Sequence, residues 1–103
     1  MQRGEIWFAE VPEGGDRPVL VLTRDPVADR VGRVVVAALT RTRRGVVSEV
    51  ALTASEDGLA SDCVVSLDNL HTLPRTAFRR RLTTLSGPRM ARACRALRAA
   101  VAC

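Results

Sequence analysis

Arg17-Pro-Val-Leu-Val-Leu-Thr23 and Arg33-Val-Val-Val-Ala-Ala-Leu-Thr40 decide the fold. Both are dense in valine and leucine and too short for ordinary helices, so they predict buried strands over Pro18–Thr23 and Arg33–Thr40. Between them, Arg24–Gly32 is polar, contains Pro26 and reads as a loop. If the two strands form an antiparallel hairpin about a loop centre between Ala28 and Asp29, then Arg17 faces Thr40, with β-carbons roughly 5 Å apart. A one-residue slip would turn every side chain to the other face, so the pairing depends on that register.

Upstream, Glu5–Val11 is short, apolar and aromatic, and Pro12-Glu-Gly-Gly-Asp16 breaks it with turn chemistry. Downstream, Val46–Leu52 reads as a fourth strand, closed by a loop carrying Asp57-Gly58. Cys63–Leu73 reads as a longer fifth strand stopping at Pro74, and a shorter one follows within Arg80–Leu85. The period then changes. Ser86-Gly-Pro88 starts a helix with proline in the first turn. Met90, Cys94, Leu97 and Val101 recur at helical spacing as its apolar stripe, with Arg89, Arg92, Arg95 and Arg98 on the other side. That arginine face reads most simply as solvated, with nucleic-acid contact as the second reading. The expectation is one domain over residues 1–103, mainly β with a C-terminal helix, its antiparallel sheet strongly bent or closed into a small barrel.

Composition narrows the function. The 103 residues are 47% hydrophobic and 26% charged, which is a globular balance. The longest apolar run, Val34–Leu39, is far too short to span a bilayer, and no charged-then-apolar leader opens the chain, so a cytoplasmic protein without membrane contact is expected. Sixteen basic residues, all arginine, against eleven acidic ones give a net charge of +5. An arginine-only surface suits bidentate phosphate contact, which points to a polyanionic partner. With no tyrosine, Trp7, Phe8 and Phe78 are too few to stack several bases. Cys63, Cys94 and Cys103 form no C-x-x-C pair, and with one histidine the chain has almost no ligands for structural zinc. Reduced thiols, no metal and no cofactor are expected.

Nucleophile motifs, P-loops and dense carboxylate clusters are also missing, so any catalysis must use ordinary side chains on a substrate that carries its own nucleophile. RNA does, through the 2′-hydroxyl beside each phosphate. An enzyme then needs only to orient it, neutralise charge and handle two protons. An arginine fork and a hydroxyl at the open end of a rigid hairpin, Arg17 and Thr40, would make such a site. Taken alone, the two read more simply as a loop charge and a strand-end residue.

The order Gly4-Glu-Ile-Trp7, Arg17-Pro-Val-Leu-Val-Leu22, Val36-Ala-Ala-Leu-Thr40, then Asp68-Asn-Leu-His-Thr72 and Leu73-Pro-Arg75 before a C-terminal helix, resembles the MazF/PemK family of toxin ribonucleases over nearly the whole chain. The resemblance implies an SH3-like barrel of the CcdB/PemK type and a homodimer. It implies metal-independent cleavage of single-stranded RNA (messenger, transfer or ribosomal) at short sequences. The products would be a 2′,3′-cyclic phosphate and a 5′-hydroxyl, with translation and growth arrested. It assigns Arg17 and Thr40 as the catalytic pair and places RNA contacts at Glu13, Asp16, Asn69, His71, Thr72 and Arg75. It also implies an acidic antitoxin in the dimer groove, and operator DNA bound only through that complex.

The sequence departs from the family in a short Glu13-Gly-Gly-Asp16 turn, in Asn69 where glutamine is commoner and in His71 where lysine or arginine is. The general base is therefore open: Asp16 either repels phosphate or acts as a base, and Glu13 is its rival. His71 is either a partly buried polar strand residue or a proton carrier. Arg75 and Arg79-Arg80-Arg81 either steer RNA or are simply solvated. The same fold also carries CcdB-like toxins that bind gyrase without cutting RNA; in those, contacts come from the helix end, here the bland Ala99–Cys103. A toxin that has lost catalysis and acts as a DNA-binding co-repressor is the third reading.

Overall fold

Six strands build one antiparallel sheet that curls into a half-barrel, in a computed structural model describing residues 1–24 and 32–102. They are β1 (Glu5–Val11), β2 (Gly15–Val21), β3 (Arg33–Thr40), β4 (Glu49–Leu52), β5 (Cys63–Pro74) and β6 (Phe78–Thr84), ordered β4-β5-β3-β2-β1-β6. A single-turn helix α1 (Ala54–Asp57) follows β4, a 3-10 turn (Arg75–Ala77) joins β5 to β6, and helix α2 (Gly87–Val101) ends the fold. The expected loop centre at Ala28 and Asp29, with Pro26, lies outside the described residues, as does Cys103.

The expected bounds of β1 and β3 hold, whereas β2 begins earlier, at Gly15, because tight pairing Val11↔Gly15 closes the β1–β2 turn. β4 begins only at Glu49, leaving Val46 and Val47 exposed. The loop expected around Asp57-Gly58 is instead α1. Thr53 caps it by accepting from Glu56 N (3.2 Å), the Asp57 carboxylate accepts from Thr53 N (2.8 Å), and Gly58 ends it at φ 71°.

α2 starts as expected, with Ser86 accepting from Arg89 N at 3.3 Å and Pro88 in the first turn. Its stripe is displaced from the expected one. Ala93 and Ala96 are the buried residues, flanked by Met90, Leu97 and Ala100, while Val101 is 52% exposed. Small side chains let the helix sit close on a sheet that already presents leucines, so volume and not hydrophobicity chose the contact face. Arg89 does not belong to a solvated face either. Its Nε is 3.1 Å from the buried Asp57 carboxylate and its terminal nitrogen 2.7 Å from Glu56, which pins α1 to the start of α2.

Two apolar layers result, one on each face of the sheet. Under α2 lie Ile6, Leu20, Ala37, Leu39, Val50, Leu52, Val65 and Leu67. On the other face Ala9, Val11, Val19, Val21, Val34, Val36, Leu73 and Ala77 pack together, with Trp7 and Phe78 edge to face at 6.0 Å. β2 and β3 supply both layers, which is why their sequences run apolar without alternation.

Candidate active site

The β2–β3 register is Val19↔Ala38, Leu20↔Ala37, Val21↔Val36, the register expected from the sequence; carried two residues further it sets Arg17 opposite Thr40. Across β1, Arg17 pairs with Ala9. Both Arg17 and Thr40 line a cleft of about 480 Å³ where the second apolar layer runs out, together with Thr42, Arg44, Glu49, Ser66, Asp68 and Asn69.

Gly14 makes room for the Arg17 side chain. A β-carbon added at Gly14 would stand 3.3 Å from its Nε, so a glycine there leaves room for the guanidinium. That Nε is buried and has no hydrogen-bond partner among the described residues. An orphaned charged N–H is costly unless a ligand oxygen completes it. Thr40 Oγ accepts from Thr42 N at 3.2 Å, which leaves its hydroxyl hydrogen free to donate. The corner thus offers a fixed positive charge and two donors to an anion.

The far wall comes from β4 and β5. Glu49 and Ala38 both pair with Ser66, which puts Ser66 on the cleft face. The Glu49 carboxylate accepts from Arg44 N and Gly45 N, each at 3.0 Å, and so closes the turn before β4. Between Ala38↔Ser66 and Ala37↔Leu70 the ladder is interrupted, and Leu67, Asp68 and Asn69 form a bulge in β5. A bulge re-aims the side chains it carries. Here it delivers Asp68 and Asn69 to the cleft, with Asp68 hydrogen-bonded to the Ser48 hydroxyl.

Of the residues expected from the sequence, the cleft gathers Arg17, Thr40 and Asn69. Glu13 and Asp16 stand outside it, exposed in and beside the β1–β2 turn; Glu13 has a left-handed φ of 64°, and Asp16 lies 3.9 Å from Arg79 Nε. Arg79 also meets Glu10 at 3.2 Å, and Arg81 meets Glu5 at 3.4 Å, so these members of the arginine run are ion-paired. His71 opposes Val36, half-buried beside the second apolar layer, its Nε2 buried with no partner among the described residues. Thr72 and Arg75 are exposed away from the cleft. Glu49, Ser66 and Asp68 were missed. Asp68 opens a stretch already singled out, but nothing in the local pattern signals the bulge that turns it inward.

A second cavity, of about 470 Å³, touches Arg17 and Thr40 from the helix-covered face. Cys63 lines it. Burial pushes the Cys63 thiol up, the charges of Asp57 and Asp62 push it further and Arg41 opposes them, so the sulfur stays protonated at neutral pH. Cys63 and Cys94 are free thiols. Among the described residues no group of histidine, cysteine and carboxylates is placed to hold a metal ion, and no helix is long and apolar enough to cross a membrane.

Residues 2–101 match the family model described as PemK-like, MazF-like toxin of type II toxin-antitoxin system. Over 103 residues, all of both chains, the protein is 70% identical to a Mycobacterium tuberculosis protein named probable endoribonuclease MazF2. A mycobacterial endoribonuclease solved in complex with its cognate antitoxin superposes with a TM-score of 0.88 at 26% identity, covering 99% of this chain and 95% of that one. The Mycobacterium tuberculosis toxin MazF-mt6 superposes at 0.86 with 33% identity, covering 95% and 96%.

Proposed function

The chain belongs to the PemK-like, MazF-like toxins of type II toxin–antitoxin systems and is an endoribonuclease of that family; from this premise we propose that it cuts single-stranded RNA at the Arg17–Thr40 corner, sequence-selectively and without a metal ion. The 2′-hydroxyl gives its proton to solvent as it attacks the neighbouring phosphorus, the bond to the 5′-oxygen breaks, and that oxygen takes a proton from water, so that a 2′,3′-cyclic phosphate and a 5′-hydroxyl remain. Arg17 neutralises the phosphate and gives its unpartnered Nε–H to a non-bridging oxygen. Its guanidinium stays protonated throughout, so its role is charge stabilisation and not proton transfer. Thr40 donates its free hydroxyl hydrogen to a second phosphate oxygen. The observation that carries this reading is the buried Arg17 Nε, without a partner among the described residues, set across the hairpin from Thr40.

The net charge of +5 suits both RNA and an acidic antitoxin that would displace it. The active form in this reading is a cytoplasmic homodimer that arrests translation, with operator DNA reached only through the antitoxin complex. Purified protein is incubated with long single-stranded RNAs in EDTA beside Arg17→Ala and Thr40→Ala, and the product ends are mapped. Discrete cuts ending in cyclic phosphate, slowed on the order of 10²–10³ by either substitution, are expected. Cuts undiminished in both variants would overturn the Arg17–Thr40 assignment, and RNAs left intact by wild type would overturn the cleavage reading and return attention to gyrase binding.

A further inference from the structure

The second cavity is built from one row of side chains that crosses the sheet. Arg80 on β6 opposes Phe8 on β1, and Phe8 opposes Pro18 on β2. By the established β2–β3 register, Pro18 then opposes Leu39 on β3. Facing this row is the loop from Gly58 to Ser61, and the space between them measures about 470 Å³, well within the size of small-molecule sites. Arg17 and Thr40 also border this cavity, so it adjoins the polar cleft at the ends of β2 and β3.

Two features make this a built site. The loop wall is held in place: a β-carbon at Gly58 would meet Thr83 Oγ at 3.0 Å, and the turn just before it is clamped by Arg89 through Asp57 and Glu56. The floor carries an aromatic ring with a cation over it, Arg80 Cζ lying 5.8 Å from the Phe8 centroid. Trp7 and Phe78 are turned into the opposite layer against each other, which leaves Phe8 as the ring at this site.

The lining selects among occupants. It is apolar in Phe8, Pro18, Leu39 and Leu59, and its charged members among the described residues are Arg17, Arg41 and Arg80, with no carboxylate. An apolar peptide side chain would gain nothing from three arginines. A planar group with an apolar face, attached to a phosphate backbone, uses both the ring and the charges.

We propose that this cavity receives one unpaired nucleobase next to the scissile phosphate, packed against the Phe8 ring with the Arg80 guanidinium at its edge, and thereby anchors the base at one position of the cleavage site. The assignment rests on the nuclease reading above and adds a base-binding subsite to it. It also answers the scarcity of aromatics: one ring serves one base, and the neighbouring nucleotides are held through their backbone.

The test uses the full chain and RNAs carrying a single abasic nucleotide at each position around a mapped cut, with Phe8→Ala, Phe8→Leu and Phe8→Trp beside wild type. In wild type, loss of the base at one position flanking the cut raises KM on the order of 10- to 100-fold, the worth of one aromatic–base stack. Phe8→Ala and Phe8→Leu raise KM for intact RNA to a similar extent and abolish the dependence on that base, so that the abasic nucleotide there adds no further cost. Phe8→Trp restores it, and Phe8→Leu, which keeps the apolar row, shows that folding is not what was lost. An abasic penalty that persists in the Phe8 variants, or a preference unchanged at every position, overturns the pocket while leaving the nuclease standing. Loss of antitoxin binding without any change in base preference overturns it in favour of a peptide occupant. A wild-type protein that cuts no RNA overturns the nuclease reading itself, and this assignment with it.

Discussion

The two faces of the sheet are both apolar, yet they are closed in different ways, and the difference locates the site. On one face leucines of the sheet meet alanines of α2, and the helix acts as a lid. On the other, valines of β2 and β3 pack against Leu73, Trp7 and Phe78 without a helix over them, because the sheet bends round on itself. A layer closed by bending has an open end. There the same face that carries Val19 and Ala38 goes on to carry Arg17, Thr40 and Ser66, and the polar cleft begins where the valines stop.

The sharpest test of that contrast is a cavity in each layer. Leu20→Ala, beneath the helix, is expected to cost about 2–5 kcal/mol, because a fixed helix cannot collapse into the void. Val36→Ala, in the self-closed layer, removes two methyl-sized groups and is expected to cost roughly 2 kcal/mol. Urea unfolding measures both, and a loss per deleted carbon as large at Val36 as at Leu20 would mean that the bent face is as rigidly closed as the helical one.

Next in size is the clamp between α1 and α2. Asp57→Asn leaves Arg89 with Glu56 alone, at a cost of about 2–3 kcal/mol, less than for a fully buried pair because Glu56 is largely exposed. A melting temperature unchanged by this substitution would show that the clamp shapes the loop at Gly58 without stabilising the helical layer.

Glu5 offers a smaller effect, visible only in acid. Burial pushes its carboxyl up, but hydrogen bonds from the Trp7 indole, the Gln2 backbone and Arg81 together hold it below the ordinary 4.5. A carboxyl depressed by folding contributes stability that is present above its unfolded value and is lost as pH falls through the folded one. Stability should therefore drop in that acid window in wild type, and the Glu5 part of the drop should vanish in Glu5→Gln when unfolding is followed against pH. The least effect belongs to Cys63. Its thiol, raised above the ordinary 9.0, should alkylate more slowly near neutral pH than a free cysteine and speed up only in base. Rapid modification at pH 7 would mean that the cavity lining is more open than the structure has it.

Much of this architecture was legible in the residues themselves. Valine-rich runs marked β2 and β3, turn residues marked their ends, and the hairpin register followed from the loop between them, so the opposition of Arg17 and Thr40 could be written down before any coordinates. Local chemistry also marked the start of α2 at Ser86. What failed were readings in which a neighbour overrides the local pattern. Val101 has the spacing of a core residue, but α2 needs small side chains against the sheet and turns Ala93 and Ala96 inward. Arg89 sits on a run of arginines, but Asp57 reaches it from far along the chain.

The bulge in β5 is the clearest case. Before it, odd-numbered Val65 and Leu67 face the helical layer; after it, odd-numbered His71 and Leu73 face the other. Simple alternation through Cys63–Leu73 therefore misplaces half of the strand. By itself the sequence determined the strands, the final helix and the pairing of an arginine with a threonine, because backbone propensity and a short hairpin are local matters. Tertiary structure alone decided that Asp68 and Asn69 join that pair, that Glu13, Asp16, His71, Thr72 and Arg75 stand apart from the cleft, and that Phe8 and Arg80 floor a cavity beside it. Those outcomes depend on where β5 breaks register and on which distant strand lies alongside, and no run of neighbouring residues encodes either.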